Sequence, residues 1–136
     1  MNANLKMALA VIAGILIGGM VNGGIINLSP MIIPPPEGVD VNDMESLRAN
    51  MHLFQPKNFI FPFLAHALGT LVGAFAAAKI AGVKQIRLGL IVGLVFLLAG
   101  TSMIVIMKVP SPMWFNALDL IGAYLPMGWL GAKLAS

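Results

Sequence analysis

Four apolar stretches, each about as long as a bilayer is thick, constrain this chain more than any other feature. The hydrocarbon core is about 30 Å deep, so a crossing helix needs about 20 mostly apolar residues. The stretches cover residues 7–28, 59–78, 88–107 and 113–132. The first and third carry no acidic or basic side chain. The second has only His66 and the fourth only Asp119. All four are apolar on every side, whereas barrel strands would alternate over about ten residues.

Composition points the same way. The chain has 136 residues, 59% of them hydrophobic and 10% charged, against about 25% charged in an ordinary soluble domain. So short a chain cannot hide that much apolar surface from water. The expected fold is an all-α membrane protein, a four-transmembrane-helix bundle making one domain over residues 1–136, with the lipid bilayer as its first partner.

The basic residues orient it. Lys6, Lys79, Lys84, Arg87 and Lys133 fall at the two termini and the second loop, while Arg48, Lys57 and Lys108 fall in the other two loops. The excess predicts both termini on the cytoplasmic side of the cell (inner) membrane. The first stretch is longer than a signal-peptide core and lacks a small-x-small cleavage site, so it is read as a span. The net charge of +3 comes from residues scattered at span ends, which is no nucleic-acid footprint. Without cysteine, thiolate metal sites and thiol redox chemistry are excluded.

The external loop, residues 29–57, opens with Ser29-Pro30 and then Pro34, Pro35 and Pro36, which favour extended backbone. Asn42 followed by Glu45 resembles a helix cap, and Met44, Leu47, Met51 and Phe54 recur at helical spacing. A short amphipathic helix over 42–53 is expected, lying on the outer membrane surface or over the bundle. It is either a lid or a connector resting in the interface.

Small residues recur at intervals of four: Gly14 and Gly18 in the first span, Gly69 and Gly73 in the second, Gly89 and Gly93 in the third. Such stripes let helix backbones approach closely in lipid. They are assigned to helix contact within the bundle or between copies, and a homo-oligomer or a partner membrane subunit is expected.

Polar residues inside the spans gather at one depth. At 1.5 Å rise per residue, Asn22, His66 and Asp119 each lie about 9–10 Å below the outer ends of their spans. Thr101 and Ser102 fall near that level, Asn116 stands one turn above Asp119, and Tyr124 lies near the middle. Polar groups are costly in lipid and usually face protein or a water-filled cavity. If His66 meets Asp119, the pair can carry a proton, hold a cation or anchor a polar head group. Pro126 and its glycine neighbours loosen the fourth span nearby. His66, Gly69, Lys79 and Asp119, Gly122, Lys133 form a faint echo between two hairpins.

No catalytic motif stands out: there is no nucleophile elbow, HExxH pattern or phosphate loop. One His and one Asp are too few ligands for a dedicated metal site, and nothing calls for a cofactor. The expectation is an oligomeric transporter or channel for a proton, cation or small polar solute, with an outward-opening polar site. The alternatives are a non-catalytic membrane subunit or assembly factor and, third, an enzyme acting on a lipid or quinone head group.

Overall fold

The computed structural model describes residues 1–136 as helices and turns without a strand. Six α-helices follow in order: α1 (Ala3–Ile32), α2 (Met44–Asn50), α3 (Ile60–Ala81), α4 (Gln85–Val105), α5 (Met113–Gly122) and α6 (Leu125–Ala135). Short 3-10 turns at Met51–Leu53 and Pro56–Phe59 lead from α2 into α3. Three helices are long and apolar enough to cross a membrane: α1, α3 with its leading turn, and α4.

The fourth expected crossing, 113–132, is broken. α5 and α6 have 10 and 11 residues, about 15 and 16 Å at 1.5 Å each, so neither spans alone. The cause is local. Pro126 has no N–H to give the Gly122 carbonyl, so the helix ends there and restarts with the proline in its first turn, where a donor is not needed. Tyr124, at φ −114° and ψ −76°, sits in the break.

The first loop also differs from expectation. α1 continues through Ser29-Pro30 to Ile32, because a proline this close to a helix end breaks only the final turn. The Ile33 N–H still reaches the Ser29 carbonyl at 2.9 Å. Asn22 therefore lies about 15 Å from the end of its helix instead of about 9 Å. The loop helix is shorter than 42–53, and its cap is Asp43, not Asn42: the Asp43 carboxylate accepts from the Glu45 N–H at 3.2 Å. Its apolar stripe lies over the bundle. Met51 is buried with Phe59, Val109 and Phe115, and Met44, Leu47 and Phe54 pack around them.

The small-residue stripes make two hairpins of the same design. α1 runs antiparallel to α3, and α4 to α6. A Cβ added at Gly73 would stand 2.6 Å from the Gly14 carbonyl oxygen and 3.2 Å from Gly18 Cα. A Cβ added at Gly128 would meet the Gly89 oxygen and Gly93 Cα at the same 2.6 and 3.2 Å. Neither pair of helices can approach this closely with any side chain at these positions. The hairpins meet along α3 and α6, where Gly131 lies against the Leu71 carbonyl and Ala74, Ala78 and Ala132 are fully buried. At the opposite end from the long loop, Gly82 closes α3 at φ +71°, a conformation that suits glycine, with its N–H on the Ala78 carbonyl at 3.0 Å.

With alanine and glycine inside, the large apolar side chains face outward. Leu16, Leu98 and Ile121 are 63%, 61% and 73% exposed, a surface that needs an apolar surrounding.

Candidate functional site

His66 on α3 and Asp119 on α5 meet across the junction of the two hairpins. His66 Nδ1 lies 2.8 Å from Oδ1 and 2.9 Å from Oδ2 of Asp119. A carboxylate only accepts, so Nδ1 carries the hydrogen and shares it between both oxygens. Tyr124, held in the helix break, donates its hydroxyl to Asp119 Oδ2 at 3.1 Å. Its ring stacks on the imidazole, with centroids 5.7 Å apart and planes at 25°. One carboxylate thus takes two donors from two different elements. The Asp119 side chain is 7% exposed and that of His66 28%, so the imidazole is the accessible partner.

The backbone explains this placement. Gly100 on α4 leaves room for the Tyr124 ring, since a Cβ there would stand 2.9 Å from Tyr124 Cζ. Thr70, one turn along α3 and 1% exposed, donates to the His66 carbonyl at 2.7 Å. This threonine is a site residue that reading the polar layer missed. The available signal was its i+4 relation to His66, which such back-bonded hydroxyls favour.

These residues form the inner end of a cavity of about 530 Å³. It lies between the loop-side ends of α1, α3, α4 and α5, and Leu47, Met51 and Phe54 of the first loop cover it. Arg48 fastens this cover, donating to the Met107 carbonyl at 3.0 Å across the second loop-side connection.

The other expected members of the polar layer divide. Asn22 lines the cavity from α1, with its Cβ 3.0 Å from where a Gly69 Cβ would stand. Its Oδ1 is buried without a partner. Asn116 and Ser102 also line the cavity. Asn116 accepts from the Ser111 hydroxyl at 2.7 Å, and Ser102 donates to the Ala99 carbonyl at 2.6 Å. Thr101 does not join them. It donates to the Leu97 carbonyl at 2.8 Å and lies off the cavity wall, because adjacent helix positions point about 100° apart. No three His, Cys, Asp or Glu side chains come together as a metal cluster would require. Comparisons with protein-family models, with curated proteins and with solved structures give no match.

Proposed function

We propose that this protein is a small transporter of the cell membrane, crossing it four times with both termini in the cytoplasm. The fourth crossing is α5 and α6 in series. The single observation that carries the reading is the His66–Asp119 pair, 2.8 Å apart, at the inner end of a cavity where two similar hairpins meet. Repeated hairpins, a discontinuous helix and a polar site at their junction are the recurrent parts of secondary transporters. The excess of Lys and Arg at the termini and at residues 79–87 supports the orientation, which turns the cavity outward. Below it, the glycine and alanine contacts close the cytoplasmic half. Glycine-lined faces that remain exposed support a homo-oligomer.

The test is flux. Proteoliposomes holding the purified chain should take up members of a panel of labelled small solutes, with or without proton movement. Asp119→Asn should abolish that uptake while the helical content stays unchanged. If a folded, reconstituted protein moves no solute and no protons, and instead purifies with a second membrane protein, it is an accessory subunit.

A second reading has one observation in its favour. An imidazole whose Nδ1–H is held by a carboxylate leaves Nε2 as a base, which suits chemistry on a lipid or quinone head group. Recovery of an altered molecule after incubation would support that reading over transport.

A further inference from the structure

We propose that the groove between the starts of α1 and α4 binds a phospholipid with an anionic head, its phosphate on Lys84 and Arg87 and its chains along the apolar walls. The site rests on the membrane setting of these helices and is independent of transport through the central cavity.

Helical spacing builds the groove. On α1, Asn4, Met7, Ala8, Val11 and Ile12 follow at the three-and-four spacing that puts residues on one face. On α4, Lys84, Arg87, Leu88 and Ile91 do the same. The two faces line a space of about 460 Å³, the size of a small-ligand site. The end of α3 packs behind it: Ala10, Ala81 and Leu88 form one buried cluster, with Met7 and Val11 against them. Gly14 draws α1 onto Gly73 of α3, and Gly89 draws α4 onto Gly128 of α6. No glycine contact joins the starts of α1 and α4, so a gap remains.

Polarity is graded along this gap. α1 runs antiparallel to α3, and the turn at Gly82 sends α4 back, so α1 and α4 rise side by side in one direction. Asn4, Lys84 and Arg87 stand at the mouth. Val11, Ile12 and Ile91 lie one to two turns further in, about 6–12 Å along the axes. Ile12 and Ile91 are exposed, so the inner part of the groove opens to the apolar surroundings of the bundle. A polar head with chains beyond it matches this grading, whereas a soluble anion leaves the inner walls bare.

Charge selects the head. The acidic side chains are Glu37, Asp40, Asp43 and Glu45 in the long loop, and Asp119. Asp119 sits against His66 in the only close acid–base contact of the molecule, so Lys84 and Arg87 have no acidic partner. Lys6, Lys79 and Lys133 add to the positive charge of the same end. A phosphate diester suits an arginine fork beside a lysine, and basic pockets between membrane helices take anionic heads in this way. The ammonium of a zwitterionic head would find no carboxylate here. Lys84 also holds a left-handed backbone at φ +48°, which glycine or asparagine adopts more readily. It gains no ion pair with the protein in return, and a bound phosphate supplies one.

The experiment gives the intact chain in detergent an equimolar mixture of phosphatidylglycerol and phosphatidylcholine with identical chains, and counts bound lipid by native mass spectrometry. The expected result is a tightly held lipid with phosphatidylglycerol preferred at least about tenfold, the combined weight of two basic side chains at an anionic head. Lys84→Asn, which suits the left-handed backbone, and Arg87→Gln should each lower that preference about threefold or more, with the folded species unchanged in gel filtration. Lys79→Gln combined with Lys133→Gln removes two charges from the same end but outside the groove, and should leave the preference intact. Ala8→Trp fills the groove from an exposed position and should displace the lipid. Equal binding of the two lipids would overturn the proposal. So would retention of the lipid by Ala8→Trp, or a loss in the Lys79 and Lys133 variant as large as that in a Lys84 and Arg87 double variant, which marks a diffuse field. Displacement by soluble glycerol phosphate as readily as by phosphatidylglycerol would also overturn it, by marking a site for a free anion. Solute flux and its loss in Asp119→Asn stand or fall separately from each of these results.

Discussion

His66 Nδ1 lies 2.8 Å from Asp119 Oδ1, and this contact ties the first hairpin to the broken helix of the second. It is the only close contact between an acidic and a basic side chain in the molecule. Removing the carboxylate leaves the His66 Nδ1–H and the buried Tyr124 hydroxyl without their acceptor, at a cost of about 1–3 kcal/mol for each group so stranded. Asp119→Leu should therefore lower the thermal unfolding midpoint in detergent markedly. Asp119→Asn keeps an acceptor for the Nδ1–H and should cost about 1 kcal/mol. Equal effects of the two would show that the pair contributes shape alone.

Tyr124→Phe removes one hydroxyl, and with it the 3.1 Å bond to Asp119 Oδ2, while the ring still stacks on His66. The expected loss of stability is about 1 kcal/mol. The imidazole should also become more mobile, which histidine side-chain NMR relaxation would detect. An unchanged signal would mean that stacking alone holds His66.

Glycine positions should separate sharply by their surroundings. Gly73→Val and Gly128→Val place a branched side chain against the facing helix backbone, 2.6 Å away in each case. Each should prevent its hairpin from closing, seen as loss of the folded species in gel filtration. Gly24→Ala meets nothing within 4 Å and should be neutral or stabilising, by up to about 1 kcal/mol, as in any helix interior.

The cover over the cavity is held by Met51, Phe59, Val109 and Phe115. Met51→Ala should destabilise this cluster by about 2–5 kcal/mol. Faster hydrogen exchange across residues 44–59 is expected, with exchange in α1 unchanged. Uniform acceleration would mean that the cover and the bundle unfold as one unit.

The chain has no cysteine, so single cysteines report topology directly. In intact cells, Glu37→Cys should react with a membrane-impermeant maleimide, and Ser136→Cys should react only after permeabilisation. The opposite pattern would invert the protein and turn the cavity to the cytoplasm.

The sequence by itself marked the three helices long and apolar enough to cross a membrane, because length and apolarity of a run depend on composition alone. It also put His66 and Asp119 at similar depths, since rise per residue converts position into approximate depth, but misjudged Asn22, because α1 runs on through Pro30 to Ile32. The close-contact faces were legible for a similar reason: Gly14, Gly18, Gly69 and Gly73 recur with the period of the helix, and their contacts follow. Only the tertiary structure decided azimuth and continuity. Whether His66 turns toward Asp119, whether Thr101 turns away and whether Asn22 is left unpaired depend on the rotation of each helix about its axis. Neighbouring backbones set that rotation. The break at Tyr124 and the passage of α1 through Pro30 depend on which proline can forgo its hydrogen bond where it stands. The apolar runs thus set which segments become helix with an apolar outer face. How the helices turn against one another makes the polar layer a site.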